Sequence, residues 1–224
     1  MIKEPKSLND LFKDAWKLFT DSFGTFVGIL GVGVLIELAL IAPGVILFVV
    51  GVIVSQTCKP WLAVGISTFV LFVTLGIIAQ FWIQAALIWA LNHAASGGKV
   101  GVRMALAEGW KIFGRVFWVM ILAGLIIFGG YILLIIPGVI LAIYFSFVVY
   151  VAVVEKKGGT EALWRSKSLV LGHFWRVLGI TLLIGILSGL ATQVAGPLAY
   201  LFLTPFWTGI LYYLYKDLKS LKGN

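Results

Sequence analysis

The chain alternates between long apolar stretches and short segments that carry most of its charge. An apolar helix needs about 20 residues to cross a hydrocarbon core of roughly 30 Å, and backbone groups cannot go unpaired in lipid. The pattern therefore predicts an all-α, polytopic transmembrane helical bundle of about six spans. The predicted spans are Phe23–Ala42, Trp61–Leu91, Phe117–Ile136, Pro137–Val154, Val177–Val194 and Pro197–Tyr215.

The segment from Pro43 to Ser55 does not fit this count easily. It is apolar, but at about 14 apolar residues it is short for a span. If the basic segments on both sides of the first two spans are cytoplasmic, an even number of crossings separates them, and the length accommodates two. The segment is then a kinked extension of the first helix or a re-entrant piece at the outer face; the competing count has seven spans.

The basic residues predict the orientation. Sixteen of the 17 Lys and Arg residues lie in four clusters, and Lys59 lies outside them. The clusters are Lys3–Lys17, Lys99–Arg115, Lys156–Arg176 and Lys216–Lys222. Because cytoplasmic loops are enriched in Lys and Arg, both termini and the two internal clusters are predicted to be cytoplasmic, with Lys59 outside.

Composition supports the same class of protein. Hydrophobic residues make up 61% of the 224 positions and charged residues 12%, and the mean hydropathy is +1.08. The formal net charge of +8 does not indicate nucleic-acid binding, because the basic residues flank apolar spans and face the anionic inner leaflet. The single cysteine, Cys58, excludes an internal disulfide and a cysteine-based metal site, and is expected in the outer loop.

The sequence contains an internal repeat. A shift of 94 residues aligns Trp16-Lys17 with Trp110-Lys111 and Pro43-Gly44 with Pro137-Gly138, and a shift of 57 residues gives a weaker third copy. We expect a single membrane domain, residues 1–224, in which each unit is an amphipathic interfacial helix followed by a transmembrane hairpin, all in parallel orientation. The three units cover approximately residues 7–94, 100–155 and 160–217.

Spacing predicts the amphipathic helices. In the first unit Leu11, Ala15 and Phe19 share one face, a 3.6-residue pattern typical of helices that lie in the membrane interface. The alternative is that these segments are the cytoplasmic ends of long transmembrane helices. Helix breaks near the outer face are predicted at Pro43 and Pro137.

Glu37 is the one ionisable residue well inside a predicted span. An unpaired charge at the bilayer centre costs about 2.5–3.5 kcal/mol, so Glu37 should face protein, water or a partner. One interpretation is an intramembrane polar site with Gln80, Gln84 and Gln193, of which the first two share a helix face. The interpretation we favour is that a neutral or Lys59-paired Glu37 hydrogen-bonds the helices together.

The region Ile135–Gly179 carries a distinctive order of features: a Pro-Gly pair, an apolar helix, an acidic residue near Gly-Gly, and an amphipathic helix ending in aromatic residues and arginine. These positions are Pro137-Gly138, Glu155, Gly158-Gly159, Ala162-Leu163, Ser166, Gly172 and Phe174-Trp175-Arg176. The region resembles the membrane domain attached to some bacterial glycerophosphodiester phosphodiesterases, and a related set of bacterial integral membrane proteins. The resemblance implies six helices in a bacterial inner membrane. It implies no catalytic activity, because the phosphodiesterase residues of such enzymes lie in a soluble domain.

A cation–aromatic cluster is predicted at the inner surface, comprising Arg165, Lys167, His173, Trp175 and Arg176. Such a cluster can bind a lipid phosphate, since each cation near an anionic surface contributes around 1 kcal/mol. The alternative is the ordinary positive-inside signal with its aromatic belt.

We therefore expect a non-enzymatic inner-membrane protein, without catalytic residues, metal or cofactor, since none of the standard catalytic motifs occurs. Its expected role is to handle lipids or amphiphilic molecules, in transport or membrane homeostasis, with membrane lipids of the anionic inner leaflet as partners. The alternative is an accessory or immunity-type protein that acts through contacts with a membrane-protein partner or a second copy of itself.

Overall fold

The structure is a computed structural model that describes residues 5–55, 59–196 and 198–222. These residues form helices connected by short turns, which confirms the all-helical prediction for this part of the chain. The helices described are α1 (Leu8–Asp21), α2 (Phe23–Val54), α3 (Pro60–Ala94), α4 (Val102–Leu133), α5 (Ile135–Tyr144), α6 (Val148–Val154), α7 (Gly159–Val170), α8 (Phe174–Ala195) and α9 (Leu198–Lys222). Cys58 lies outside the described residues.

Five segments of the described chain are long and apolar enough to cross a membrane. They are α2, α3, α4, the combined α5–α6 segment and most of α8, each with a mean hydropathy between 2.0 and 2.6 over its most apolar window. Helix α9 is 25 residues long but is more polar, with tyrosines and lysines in its second half. The five segments indicate a multi-pass membrane protein.

Pro43 lies inside α2, so the helix break predicted there is absent. Residues 43–54 continue the first transmembrane helix, and the segment is therefore an extension and not a re-entrant piece. Pro137 does lie at a break, in the first turn of α5, after Leu134 adopts an extended conformation between α4 and α5. The difference has a physical basis, since a transmembrane helix can tolerate proline where a neighbouring helix holds it in place.

Helix α3 supplies that neighbour, because α2 and α3 pack very closely along their length. A Cβ atom on Gly44 would lie 2.8 Å from the Cβ of Phe72, and one on Gly51 would lie 2.8 Å from the Cα of Gly65. Small residues at such positions let helix backbones approach in lipid. The contact therefore holds α2 in one piece through Pro43.

The amphipathic segments differ among the three proposed units. In the first and third units they are separate helices, α1 and α7, and the side chain of Ser7 caps α1 by accepting from the backbone N–H of Asp10. In the second unit the segment around Trp110 is the beginning of α4 and continues into the span. The alternative interpretation, in which the amphipathic segment is the end of a long transmembrane helix, thus describes the second unit. The three-unit repeat itself stays a prediction.

Helix α6 forms the centre of the bundle. Its residues from Val148 to Val153 are all buried, and they pack in one core with α1, α3, α4, α7, α8 and α9. Helix α1 lies against α9, where the ring centroids of Phe12 and Phe206 are 6.0 Å apart. Helices α1 and α7 both pack against α9.

The break between α5 and α6 is held by one side chain of α7. The buried Ser166 hydroxyl donates to the carbonyl oxygen of Tyr144 at 2.8 Å and accepts from the backbone N–H of Phe147 at 3.2 Å. Both backbone groups lose helical partners at the break, because Val148 N–H bonds to Phe145 and Ser146 N–H to Ile143. Ser166 satisfies them, which fixes α7 across the break.

Candidate functional site

All four basic clusters contribute to one end of the bundle, here called the basic end. Lys6 contacts Asp217 near the C-terminal end of α9, and Arg115 of α4 donates to the carbonyl oxygen of Ala152 at the end of α6. Lys219 and Arg165 both meet Glu155. This arrangement brings together residues that are up to 211 positions apart in the chain.

Glu155 is the centre of one polar network at the basic end, here called the Glu155 network. Tyr215 donates its hydroxyl to Oε1 at 2.7 Å, and Arg165 donates Nε–H to Oε2 at 3.0 Å. Lys219 Nζ lies 3.5 Å from Oε1. The Glu155 side chain is only 7% exposed, so these partners replace its water.

The charge state of Glu155 follows from these contacts. Burial alone raises the pKa of its carboxyl, but the hydrogen bond from Tyr215 and the charges of Arg165 and Lys219 outweigh burial. The pKa lies below its ordinary value, and Glu155 is an anion at neutral pH. The network therefore contains one carboxylate and two cations.

A cavity of about 500 Å³ opens beside this network. It is lined by Glu155, Lys157, Arg165 and Lys219, which is three cations against one carboxylate. Lys157 also pairs with Glu161 at the surface, at 2.7 Å. The positive balance suits an anionic group such as a phosphate, which Arg and Lys side chains bind through charge-assisted hydrogen bonds.

A second network joins the N-terminal segment to α8 and α9. Arg176 donates to Asp217 Oδ2 at 2.8 Å and to the carbonyl oxygen of Lys6 at 2.7 Å, while the Lys6 N–H approaches both Asp217 oxygens. The Asp217 side chain is 4% exposed. Arg176 is thus occupied by structural partners and holds the start of α1 against α9.

The predicted cation–aromatic cluster is divided among different surroundings. Arg165 lines the cavity of the Glu155 network, whereas Arg176 belongs to the Asp217 network. Lys167 lies above the rings of Trp164 and Tyr144. Trp175 is 81% exposed on α8, and His173 precedes α8 with Nδ1 buried and without a hydrogen-bond partner in the described structure. The described contacts do not place all five residues around one cavity, and their role as lipid-phosphate contacts stays a prediction.

Among the described residues, no hydrogen bond joins Glu37, Gln84 and Gln193, three members of the predicted intramembrane polar site, and Gln80 lies on α3. Glu37 lies half-buried in an open groove of about 420 Å³ whose lining residues all belong to α2. No ion pair between Glu37 and Lys59 is found in the described part of the chain. Gln84 is half-buried on α3, and Gln193 is exposed near the end of α8.

Glu155 was named only within the resemblance, and the sequence did not indicate that Glu155, Tyr215 and Lys219 form a site. One signal was available, because Tyr215 and Lys219 are four residues apart and so share a helix face. Their partner Glu155 is 60 residues earlier than Tyr215, and no local spacing connects it to them. In the residues that the structure describes, no group of three or more His, Cys, Asp or Glu side chains is placed to hold a metal ion.

Comparison of the chain with models of protein families, with curated proteins and with solved structures found no match. What the site can bind therefore follows from its geometry. That geometry is a cationic cavity at one end of a bundle that exposes many large apolar side chains.

Proposed function

We propose that the protein is a non-enzymatic, multi-pass protein of the bacterial inner membrane that handles lipids or amphiphilic molecules, in transport or membrane homeostasis. The observation that carries the proposal is the cavity lined by Glu155, Lys157, Arg165 and Lys219. It offers a net positive binding surface for an anionic headgroup, and the apolar helices beside it offer a surface for acyl chains.

The topology we propose has six spans, with both termini and both internal basic clusters in the cytoplasm. Helix α9 is about 37 Å long at 1.5 Å per residue, which is enough to cross a hydrocarbon core. Lys6 and Asp217 are in contact, so the beginning of the chain and the end of α9 lie at the same end of the bundle. An even number of crossings gives that arrangement, and the Lys and Arg bias assigns it to the cytoplasm.

The resemblance of Ile135–Gly179 to the membrane domain of glycerophosphodiester phosphodiesterases supports the choice of lipids as the ligand class. Glu155 and Ser166, two residues of that resemblance, are the ones that organise the basic end here.

Lipid co-purification and transport in liposomes test the proposal. Protein purified in detergent is expected to retain phospholipid above the amount in a matched detergent preparation of an unrelated helical membrane protein. Reconstituted protein is expected to move a fluorescent anionic lipid analogue between leaflets faster than protein-free liposomes. Lys157→Gln should weaken either activity, because it removes a cation of the cavity. Lys111→Gln is the matched control, since Lys111 also pairs with a glutamate at the surface. Absence of both retention and movement would refute the proposal.

A second candidate function is supported by Glu37. Its groove is formed by α2 alone, next to exposed side chains such as Leu38 and Ile46, so its carboxyl lies on an outer face of the bundle. A polar group on such a face is costly in lipid and would be relieved by a partner helix. If the protein is an accessory protein that docks through this face, Glu37→Leu should abolish crosslinking to the partner. The same variant should keep the thermal stability of the wild type in detergent.

A further inference from the structure

Two apolar grooves flank helix α5, and Lys167 lies beside both of them. We propose that this part of the protein binds one anionic diacyl glycerophospholipid, with its two acyl chains on either side of α5 and its phosphate at the Lys167 ammonium group. The inference rests on the proposed function and names the ligand class and a second, separate site for it.

The first groove lies between α5 and α8 and has a volume of about 570 Å³. On α5 it is lined by Ile136, Ile140 and Tyr144, which are spaced four residues apart and so follow one face of the helix. Trp175 contributes from α8 and is 81% exposed. The groove is therefore apolar, elongated along α5 and open to the surrounding lipid.

The second groove lies among α4, α5 and α7 and has a volume of about 320 Å³. Leu141 of α5 and Phe145, the residue that follows α5, line it; they are again four residues apart but on a different face from the first groove. Ile126 of α4 and Trp164 of α7 complete the apolar wall. Both grooves lie within the range of about 300–1,000 Å³ that is usual for ligand pockets.

Lys167 connects the two grooves. It lines the second groove directly, and its ammonium lies 5.7 Å from the ring centroid of Tyr144, which lines the first. Its other ring neighbour is Trp164, at 5.1 Å. Among the described residues Lys167 has no carboxylate partner, unlike Lys157, Arg165 and Arg176. Its charge is thus available to an anion.

The backbone at Lys167 is held against the α5–α6 break before any ligand arrives. Its neighbour Ser166 bonds to the Tyr144 carbonyl oxygen and the Phe147 N–H, so α7 cannot slide along α5 without breaking both bonds. A site that needs no rearrangement loses less free energy to ordering on binding. The cation and the two grooves therefore form one pre-arranged unit.

The occupant follows from charge and shape. One cation between two separate apolar grooves matches a molecule with one anionic headgroup and two chains. A zwitterionic lipid brings its own ammonium group near Lys167 and gains less from the cation. A single-chain amphiphile would fill only one of the grooves and would bury less apolar surface.

Native mass spectrometry of the full chain in detergent tests the headgroup. Equal amounts of phosphatidylglycerol and phosphatidylcholine with identical acyl chains are added, and the retained lipids are counted. The wild type is expected to favour phosphatidylglycerol, and Lys167→Gln to reduce the preference about fivefold, the equivalent of one surface cation. Lys167→Arg should keep the preference. Lys111→Gln, at an exposed lysine of α4 that pairs with Glu108 and lines neither groove, should leave the preference unchanged. Lys157→Gln is measured beside it, because it alters the cavity of the Glu155 network and leaves Lys167 in place.

Lipids with one and with two acyl chains test whether each groove holds one chain. Ile140→Trp should obstruct the first groove and reduce retention of phosphatidylglycerol, while lysophosphatidylglycerol, with one chain, is retained in the second. Ile121→Trp is the matched control, because Ile121 is 36% exposed on α4 and Ile140 is 37% exposed. Size-exclusion chromatography and circular dichroism identify any variant that is misfolded.

The outcomes separate this inference from the proposed function. Equal retention of the two diacyl lipids by the wild type, or a preference that Lys157→Gln removes and Lys167→Gln does not, would overturn the Lys167 site and leave lipid handling intact. Equal loss of one-chain and two-chain lipids in Ile140→Trp would overturn the two-groove arrangement. Failure of the wild type to retain any lipid would overturn the Lys167 site, and it would overturn the proposed function as well only if lipid movement in liposomes is also absent.

Discussion

The hydroxyl of Tyr215 lies 2.7 Å from Oε1 of Glu155, and it donates a hydrogen bond to a carboxylate that burial would otherwise penalise. The contact joins the last third of α9 to the C-terminal end of α6. Because α6 is the most buried helix of the bundle, this bond ties the end of the chain to its core. Loss of the Tyr215 hydroxyl should therefore lower the free energy of unfolding of the whole bundle.

We expect Tyr215→Phe to lower the free energy of unfolding by about 1.5–3 kcal/mol, since a hydrogen bond to a charged group is lost while the ring is kept. The measurement is thermal or denaturant unfolding in detergent. Tyr213→Phe is the control: Tyr213 lies two residues earlier on the same helix and contacts Lys6 through its ring. Equal effects of the two substitutions would contradict the assignment.

The Glu155 network also predicts how stability depends on pH. The pKa of the folded-state carboxyl is below the ordinary value of 4.5, so its stabilising contribution is fully present above about pH 4.5 and is lost as the pH falls through the lowered pKa. In Glu155→Gln this part of the acid sensitivity should vanish, and the protein should be less stable at neutral pH because Arg165 and Lys219 lose their anion. Unfolding measured from pH 7 to pH 3 compares the two proteins.

Ser166→Ala should be strongly destabilising for so small a change. It leaves the Tyr144 carbonyl and the Phe147 N–H without partners in a buried place, at a cost of about 1–3 kcal/mol. Ser168→Ala, on the same helix, removes only a bond to the carbonyl of Arg165 one turn earlier and should be nearly neutral. Thermal unfolding of both variants in one detergent checks the difference.

Arg176→Gln should loosen α1 without unfolding the bundle. Arg176 bonds to both Asp217 and the Lys6 carbonyl, and these contacts fix the segment that leads into α1. Hydrogen exchange followed by mass spectrometry is expected to show faster exchange in Leu8–Asp21 and unchanged exchange in α6. Arg103→Gln, at an exposed arginine of α4, serves as the control. Unchanged exchange in α1 would contradict the proposed tether.

The six-span topology predicts the side from which engineered cysteines react. In a chain with Cys58 replaced by alanine, cysteines at Lys59 and Gly196 should react with an impermeant reagent from the outside. Cysteines at Lys157 and Ser220 should react only after the membrane is opened. Labelling of position 220 from outside would indicate that α9 does not complete a sixth crossing.

The helices could be predicted from the sequence because membrane insertion requires continuous apolar segments, and such segments are recognisable in the sequence itself. Pro43 was misjudged, since its tolerance depends on Gly44 and Gly51 packing against α3, a contact between segments that no local pattern reveals. The Glu155 network and the two hydrogen bonds of Ser166 at the α5–α6 break also join residues far apart in the chain, so no local pattern reveals them. The sequence predicts which segments carry the charged residues, but the partner of each charge depends on tertiary packing. Packing gives Arg165, Lys167 and Arg176 three different sets of partners.

The length of the α2–α3 pair has a consequence for the bilayer itself. The two helices contain 32 and 35 residues, so each is roughly 50 Å long at 1.5 Å per residue, well beyond an average hydrocarbon core of about 30 Å. Their close contact at Gly51 and Gly65 makes them a single stiff body that tilts, extends out of the membrane, or thickens the lipid around it. Hydrophobic mismatch then makes the free energy of the protein in the membrane depend on bilayer thickness. We expect the protein to be more stable in thick bilayers than in thin ones.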